Sequence, residues 1–201
     1  MKILIKLVLA GLFVVNAPLL FAETNISVFA GYRGGGEFED SETGGKLKLA
    51  EGESYGFTID WDYSANTTMQ LFYSHQESRF TSDTAADDVL FDMDIDYLGF
   101  GGTYVWPGQR VEPYLSGTLG VTSFRPESGG YGSKNRAHLS IGYGMRLKLG
   151  KSFGFKFEAR GFGTFLDSSG AAFCGNNGCR VLIASSTLIQ YELMAGLNFS
   201  F

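Results

Sequence analysis

Eight charged residues recur at alternate positions within segments whose other residues are largely apolar or aromatic. Because the side chains of an extended strand point alternately to its two faces, these charges share the face opposite the apolar residues. Four are acids and four are bases: Asp60, Glu112, Glu158, Glu192, Arg146, Lys148, Lys156 and Arg160. An uncompensated buried charge is strongly penalised. The equal numbers therefore predict a network of ion pairs on an enclosed polar face.

The two cysteines are the next candidates for chemistry. Cys174 and Cys179 bracket Gly-Asn-Asn-Gly, a stretch suited to a tight reversal. Two nearby cysteines in an exported chain most often form a disulfide. A metal site with this spacing would need further thiolates or imidazoles, and segment 167–180 has no histidine. We predict a disulfide, and neither a metal nor a cofactor.

Three carboxylates stand at alternate positions of one segment, Asp92, Asp94 and Asp96, and would share a strand face. Calcium requires more oxygen ligands than a linear strand supplies, so solvated charge is the favoured interpretation. The glycines of 34–36 form no phosphate loop, since no helix follows them to supply a terminus dipole.

The strands that must position these residues are clearest at the carboxyl end. Segment 187–201 alternates, and from Ile189 onward one side carries only apolar residues: Ile189, Tyr191, Leu193, Ala195, Leu197, Phe199 and Phe201. From Gln190 onward the other side is small or polar apart from Met194, and it carries Glu192. A strand of this pattern fits a wall with lipid on one side and a packed polar interior on the other.

Seven more alternating segments precede it, and no helix-period segment of useful length occurs after Ala22. The predicted strands are 25–36, 54–62, 67–81, about 90–106, 111–124, 137–149, 153–166 and 187–201. Two positions break the pattern. Phe29 lies on the polar face of the first strand, and the alternation shifts phase above Leu98, which a bulge or a strand rising clear of a bilayer would explain.

The connections alternate between short turns (63–66, 107–110 and 150–152) and long polar loops (37–53, 82–89, 125–136 and 167–180). An even number of strands with this alternation predicts an all-β, eight-stranded antiparallel up-and-down transmembrane β-barrel. The soluble alternative is a lipocalin-type barrel with its hydrophobic residues inward. The opposite face argues against this alternative. Its charges recur in several strands, and they could not all point to bulk water without exposing this much aromatic surface.

Counting from the short turns places five charges in a middle belt: Asp60, Arg146, Glu158, Arg160 and Glu192, with Gln70 nearby. Glu192 is expected to pair with Arg160 or Arg146. Such a network would plug the lumen, or one of its pairs would gate a narrow pore. An eight-stranded barrel is just wide enough for side chains to fill, so the plug is favoured and the gated pore is the alternative.

The first residues predict export. Lys2 and Lys6 precede an apolar run at 7–15, and 18–22 ends in a small residue, so we predict a signal peptide over 1–22 and one barrel domain over 23–201. A membrane anchor is the weaker alternative, because the apolar run is shorter than the ~20 residues of a spanning helix. The chain has a formal charge of −5 and no basic stripe, which argues against a nucleic-acid partner.

The chain resembles the small eight-stranded outer-membrane barrel superfamily, the porin-like group that includes the outer-membrane protein A transmembrane domain. Three features carry the resemblance: the leader, Gly-Gly-Thr-Tyr at 101–104 before a turn, and the ending at 190–201. The resemblance implies location in the outer membrane of a Gram-negative cell. It also implies that Phe201, Phe199 and Leu197 form the signal read by the barrel-assembly machinery.

His138-Leu139-Ser140 has the His-x-Ser spacing of the outer-membrane lipid A deacylases, in which the catalytic pair faces lipid. A serine nucleophile needs a histidine base within hydrogen-bond reach. The alternation turns His138 and Ser140 inward, and the remainder of that family's motif is absent around 136–144. His75 faces outward, with Ser74 and Gln76 turned away from it. We therefore expect no catalysis from either histidine.

Taken together, these observations predict a non-enzymatic, monomeric outer-membrane barrel with both termini periplasmic, a plugged or narrow lumen and extracellular loops that serve envelope structure or surface interaction. The expected partners are outer-membrane lipid and lipopolysaccharide, with the assembly machinery during insertion, while an extracellular ligand stays unidentified. A weaker hypothesis has divalent cations bridging the acidic residues to lipopolysaccharide phosphates. The alternatives are a small-solute channel and, less favoured, an enzyme that modifies lipid A.

Overall fold

The computed structural model describes residues 24–39, 46–82, 88–126, 133–166, 171–175, 178–182 and 187–201. The predicted signal peptide lies outside these ranges. Within the described part of the chain, no helix has the length and apolar character needed to cross a membrane.

The described residues form strands only. In chain order these are β1 (Thr24–Gly35), β2 (Glu37–Glu39), β3 (Lys46–Leu49), β4 (Gly52–Ser64), β5 (Thr67–Ser82), β6 (Asp88–Val105), β7 (Val111–Pro126), β8 (Lys134–Lys148), β9 (Phe153–Phe165), β10 (Ala171–Gly175), β11 (Gly178–Leu182) and β12 (Thr187–Ser200).

Eight long strands close into one antiparallel barrel. Each pairs with its neighbours in the order β5-β4-β1-β12-β9-β8-β7-β6, and the pairing of β6 with β5 completes the circle. The last strand, β12, lies between β1 and β9, which are the first and seventh long strands in chain order. Glu192 of β12 stands opposite Arg33 on one side and Arg160 on the other. The first and last residues that the structure describes meet there, since Thr24 and Phe201 exchange backbone hydrogen bonds of 3.3 and 3.0 Å. The predicted fold is confirmed.

The two ends of the barrel differ. The connections at 65–66, 106–110 and 149–152 lie at the end that holds Thr24 and Phe201, which we call the terminus end. At the opposite end, the loop end, segments that were predicted as loops form further strands, of which β2 and β3 extend the barrel sheet and β10 and β11 make a separate two-stranded sheet. There β3 pairs with both β2 and the upper part of β5, and β10 pairs with β11. The prediction of long polar loops at 37–53 and 167–180 was therefore wrong for the residues that lie in these strands.

The inward and outward rows follow the predicted alternation. Along β12, Leu188, Gln190, Glu192 and Met194 are buried, whereas Ile189, Tyr191 and Leu193 are more than half exposed. The exposed residues of the neighbouring strands are likewise aromatic or aliphatic, so the outer wall is a band of apolar side chains. Such a surface is far larger than a soluble monomer exposes.

Part of the interior is apolar, which the sequence did not predict. Phe29 points inward, where its ring stacks on Phe72 at a centroid distance of 5.8 Å, and Phe72 in turn contacts Phe162 at 5.8 Å. The complete buried cluster comprises Phe29, Leu49, Phe72, Met93, Ile95, Tyr97, Phe124, Phe162, Leu188 and Met194. Phe29 breaks no pattern, because its position is part of a hydrophobic layer inside the barrel.

The shift of phase above Leu98 is explained by a strand that rises clear of the apolar band, the second of the two predicted explanations. The β6 pairings with β5 and β7 run without a register shift from Met93 to Tyr104. Met93, Ile95 and Tyr97 are 0–2% exposed inside the barrel. Asp92, Asp94 and Asp96 therefore occupy the outward row, as a strand that rises past the apolar band requires. A bulge at this point was the wrong explanation.

Replacement of Phe72 by alanine tests the interior layer. Phe72 is 0% exposed, and emptying a buried phenylalanine site costs about 3–5 kcal/mol of unfolding free energy. Phe157→Ala is the matched control, because the same atoms are removed from a side chain that is 40% exposed on the outer wall. Urea unfolding in detergent micelles should show the larger loss for Phe72→Ala; equal losses would contradict an interior layer.

Candidate functional site

The half of the lumen nearer the terminus end holds a buried ion cluster around Asp60. Its carboxylate accepts a hydrogen bond of 2.7 Å from the Gln70 amide and lies 3.3 Å from both Arg146 and Lys156. Asp60 comes from β4, whereas its two cationic partners come from β8 and β9 across the barrel. The pairs therefore form only when the sheet closes.

A second carboxylate, Glu158, lies beside this group. It accepts hydrogen bonds of 2.6 Å from Arg160 Nε and from the Tyr114 hydroxyl. The other guanidinium nitrogens of Arg160 donate to Gln70, Ser140 and Ser116 at 2.7–3.0 Å. Together Asp60, Arg146, Lys156, Glu158 and Arg160 form what we call the central ion cluster. Four of them were predicted at one level, and Lys156 joins them.

The partner predicted for Glu192 was wrong. Both oxygens of its carboxylate lie 3.3 Å from Arg33 of β1, and neither Arg146 nor Arg160 is the contact. The Ser74 hydroxyl donates to Glu192 at 2.8 Å and also contacts Arg33. Both charged side chains are 0% exposed. Arg33 was missed, although its position in the β1 alternation already placed it inward.

The prediction that Lys148 lies in the lumen was also wrong in position. Lys148 pairs with Glu112 at 2.7 Å, but its side chain is 47% exposed at the terminus end. This pair therefore lies at the mouth and takes no part in the buried network. β8 ends at Lys148, so the side chain extends past the wall into solvent.

An aromatic layer separates the central ion cluster from the Arg33–Glu192 pair. The Arg160 guanidinium lies 4.0 Å from the centre of the Phe72 ring, and the Arg33 guanidinium lies 4.7 and 5.4 Å from the rings of Tyr97 and Phe162. Guanidinium groups are attracted to the faces of aromatic rings. The layer therefore packs against a cation on each side.

Large side chains fill the barrel along its axis. Those that are less than 2% exposed are Arg33, Gln70, Phe72, Met93, Ile95, Tyr97, Tyr114, His138, Phe162, Arg160 and Leu188. Tyr97 links the aromatic layer to the wall by donating to Gln190 at 2.7 Å. An eight-stranded barrel has room for side chains and little else, and in this chain both polar and apolar side chains occupy that room.

The predicted inward positions of His138 and Ser140 are observed. Both are 1% exposed. Ser140 shares a 2.6 Å hydrogen bond with Thr118 and accepts one from Arg160, while the His138 ring lies near Thr122 and packs edge-on against Tyr97. These two residues contact other lumen groups and do not face the outer wall.

His75 lies on the outer wall, as predicted, but it has an acidic partner that the sequence did not reveal. Its Nδ1 is 2.9 Å from Asp96, which also accepts hydrogen bonds from Tyr73 at 2.8 Å and lies 2.5 Å from Arg125. Asp96 is only 8% exposed, so the interpretation of this residue as solvated charge was wrong. Ser123 stands opposite Asp96 in the β6–β7 pairing, on the side away from His75.

The other two acids of the trio behave as solvated charges. Asp92 pairs with Arg79 at 3.2 Å and Asp94 lies 3.8 Å from Arg125, with the two arginines 67% and 51% exposed. Among the described residues, no group of three or more His, Cys, Asp or Glu side chains is arranged to hold a metal ion.

The backbone places the cysteines opposite each other. Cys174 of β10 is the register partner of Cys179 of β11, and Gly175 is the partner of Gly178. Their side chains lie outside the described part of the structure, so the disulfide stays a prediction. At the terminus end, Phe199 packs on Phe153 at 5.6 Å, whereas Leu197 and Phe201 are exposed. The role of these three residues in insertion stays a prediction.

Comparison with solved structures identifies the fold. Outer membrane protein OprG from Pseudomonas aeruginosa superposes with a TM-score of 0.65 at 13% identity, covering 90% of this chain and 96% of that one. This chain has the fold of the small eight-stranded outer-membrane β-barrels. Two further examples agree: outer membrane protein AlkL in DMPC bilayers (TM-score 0.61, 16% identity, 92% and 93% covered) and Neisserial surface protein A (0.59, 15%, 89% and 97%).

No protein-family model matches the sequence, and no curated protein does. At 13–16% identity the structural likeness shows a shared fold. What the barrel does therefore has to be argued from its own wall and lumen.

Removal of the Glu192 carboxylate tests the buried pair. Glu192→Gln leaves Arg33 charged and buried without its partner, and breaking such a pair costs about 3–5 kcal/mol. Glu112→Gln is the control, because its Lys148 partner is 47% exposed and exposed pairs contribute about 0–1 kcal/mol. Urea unfolding of both variants measures the difference. Adding Arg33→Met to Glu192→Gln should recover most of the loss; no recovery would show that the two side chains are not coupled.

Proposed function

We propose that this protein is a non-enzymatic integral outer-membrane barrel whose closed lumen makes it a rigid base for the segments at the loop end. The observation that carries the proposal is the layered filling of the lumen. A conducting barrel needs a continuous polar path, whereas here an aromatic layer is packed between two groups of paired charges.

The outer wall supports insertion in a bilayer. Transmembrane barrels carry an apolar band bordered by aromatic residues at both interfaces. At the terminus end, Tyr104 and Trp106 meet edge-on at 5.1 Å. Towards the loop end, Tyr32, Tyr55 and Tyr191 are at least half exposed on the outer wall. Tyr191 donates to Glu51 at 2.8 Å, so its hydroxyl lies where the apolar band gives way to charge.

The absence of enzymatic activity is part of the proposal. It is supported by the enclosure of His138 and Ser140, which leaves no route for an acyl chain to either group. His75 has an acidic partner, Asp96, but a serine nucleophile would need to lie beside the histidine. Ser123 is opposite Asp96 and not opposite His75.

The proposed neighbours follow from the surface. Outer-membrane lipid and lipopolysaccharide surround the wall, and the exposed Arg79 and Arg125 at the loop end suit the phosphates of lipopolysaccharide directly or through divalent cations held by Asp92 and Asp94. The barrel is proposed to act as a monomer, because each of its eight long strands pairs with a neighbour on both sides and leaves no free edge in the membrane wall. The barrel-assembly machinery would be a transient partner that reads the last residues.

The lumen can be tested by electrical recording in planar lipid bilayers. The purified native protein should give no steady conductance steps, because side chains fill its cross-section. Insertion is verified with the Phe72→Ala, Phe162→Ala double variant, in which two rings of the aromatic layer are removed and ion steps should appear. Steady steps from the native protein would overturn the closed-lumen proposal and favour a small-solute channel.

The proposed orientation, with both termini periplasmic and the loop end outside, can be tested by cysteine labelling in a Cys174→Ser, Cys179→Ser background. Asp92 and Lys151 are exposed at the loop end and the terminus end respectively. A membrane-impermeant maleimide added to intact cells should label the Asp92→Cys variant and spare Lys151→Cys until the outer membrane is permeabilised. The reverse pattern would invert the orientation.

A further inference from the structure

An apolar groove of about 490 Å³ lies on the outer wall over β12. At its centre Ala30 of β1 and Ala195 of β12 stand directly opposite each other in the strand register. Both alanines belong to the outward row and are exposed. The lining consists entirely of residues without polar side chains: Val28, Phe29, Ala30, Phe155, Phe157, Ala195, Gly196 and Leu197. A groove with this lining accepts an apolar occupant.

One side of the groove is a row of phenylalanine rings on β9. Phe153, Phe155 and Phe157 occupy successive outward positions, and the centroids of neighbouring rings lie 5.9 and 6.5 Å apart. Phe157 stands opposite Ala195, and Phe155 stands opposite Leu197. The large rings beside the small alanine leave a step in the wall. A hydrocarbon chain lying along this step would contact both the rings and the alanine floor, and so gain more dispersion contacts than on a flat wall.

The groove lies in the half of the apolar band that is nearer the terminus end. Phe153 begins β9 at that end, and Phe157 lies four residues further along the strand. At a rise of about 3.3 Å per residue, these two positions are about 13 Å apart along a tilted strand. The apolar band of a transmembrane barrel is about 25 Å tall. The groove therefore faces the acyl chains of one leaflet, the leaflet at the terminus end.

A lysine lies where this groove reaches the membrane surface. The turn between β8 and β9 carries Lys151, which is exposed. The same turn is joined to the end of β12, because the backbone nitrogen of Ser200 donates to the carbonyl of Ser152 at 3.0 Å. The ammonium group of Lys151 is therefore available to the headgroup of a lipid whose chain lies over β12.

The rim around this lysine is basic. Segments 106–112 and 146–155 contain a single acid, Glu112, and it already pairs with Lys148 at 2.7 Å. Arg110 is exposed on the same rim, where its carbonyl accepts a hydrogen bond of 2.8 Å from the backbone of Lys148. The charge that is left after the Glu112 pair is positive. A lipid with an anionic headgroup complements both the apolar groove and the basic rim.

We propose that this groove holds one acyl chain of an anionic glycerophospholipid, whose phosphate lies beside Lys151. This inference rests on the proposed insertion in the outer membrane, and it adds a site and a lipid class to that function. Dispersion contacts in the groove are available to the chain of any lipid. The headgroup supplies the preference, because lysine and arginine at a membrane surface attract anionic lipids. Lipopolysaccharide is not the occupant, since its proposed contacts are at the loop end.

The test uses the full folded barrel in maltoside micelles, with ¹³C-labelled alanine methyl groups. Phosphatidylglycerol is added while the methyl resonances of Ala30, Ala195 and Ala137 are followed by nuclear magnetic resonance. Ala137 is an exposed alanine of β8 that does not line the groove. The two groove resonances should shift saturably and that of Ala137 should not. Phosphatidylcholine with the same chains should bind about two- to fivefold more weakly, the range expected for one exposed charge interaction.

Two results of this experiment would overturn the proposal. Equal shifts at all three alanines would mean that lipid replaces detergent everywhere on the wall and has no defined site. A shift of the Ala195 resonance that depends on protein concentration in the absence of lipid would mean that a second copy of the chain occupies the groove.

A variant that fills the groove gives a second test. Ala195→Leu adds a larger side chain to the floor, and Ala137→Leu adds the same atoms to an outward position elsewhere. Both residues are exposed on the wall, so both variants should fold. Native mass spectrometry of barrels released from micelles should show that Ala195→Leu retains one phosphatidylglycerol severalfold less often than the native protein, and that Ala137→Leu retains it equally. Unchanged retention by Ala195→Leu would contradict the site.

The headgroup contact is tested at the rim. Lys151→Gln should weaken phosphatidylglycerol binding about two- to fivefold and leave phosphatidylcholine binding unchanged. Lys134→Gln is the matched control, because it removes one lysine from β8 at the loop end and should change neither affinity. Equal losses from the two variants would mean that the lipid senses only net charge, and would contradict a headgroup position beside Lys151.

This proposal and the closed-lumen proposal fail separately. Conductance depends on the interior of the barrel, whereas the alanine resonances and lipid retention depend on its outer wall. A conducting barrel with a shifted Ala195 resonance would keep the lipid site and lose the closed lumen, and a silent barrel without the shift would do the reverse.

Discussion

The burial of charge inside a closed sheet is the constraint on which the rest of this structure depends. A small barrel gives its interior little water, so each inward acid or base needs a partner from another part of the wall. Asp60 on β4 finds Arg146 on β8 and Lys156 on β9. Because these partners are distant in sequence, charge compensation and closure of the barrel depend on each other.

The aromatic layer follows from the same constraint. Two groups of paired charges in one narrow lumen would face each other unless something occupied the space between them. Phe72 and Phe162 fill it, and their faces accept the guanidinium groups of Arg160 and Arg33. The rings thus stabilise the cations that border them, and in the proposed closed lumen they would also interrupt the polar path. The closed lumen that we propose would in this sense be a by-product of how its charges are accommodated.

The fold could be predicted from the sequence because a period of two assigns every residue of a long strand to one of two faces. That rule placed Glu158, Arg160 and Glu192 inside correctly. It could not choose partners. Arg33 and Arg160 both stand opposite Glu192 in the strand register, and the directions of their side chains, which a period of two does not describe, decide that Glu192 meets Arg33 while Arg160 meets Glu158. It also says nothing of height at the strand ends, which is why Lys148 was expected in the lumen and lies at the mouth.

The unpredicted features share a second cause, the assumption that an interior without lipid is polar throughout. Phe29 and Ile95 were read as departures from the pattern under that assumption, although both keep the inward parity of their strands. Above the apolar band of the outer wall the preference reverses: Asp92 and Asp94 point to solvent while Met93 and Ile95 pack inside. A strand that leaves the bilayer is an ordinary strand of a soluble sheet. The point at which its hydrophobic face changes sides therefore marks where the membrane surface should lie on β6, between Asp96 and Leu98.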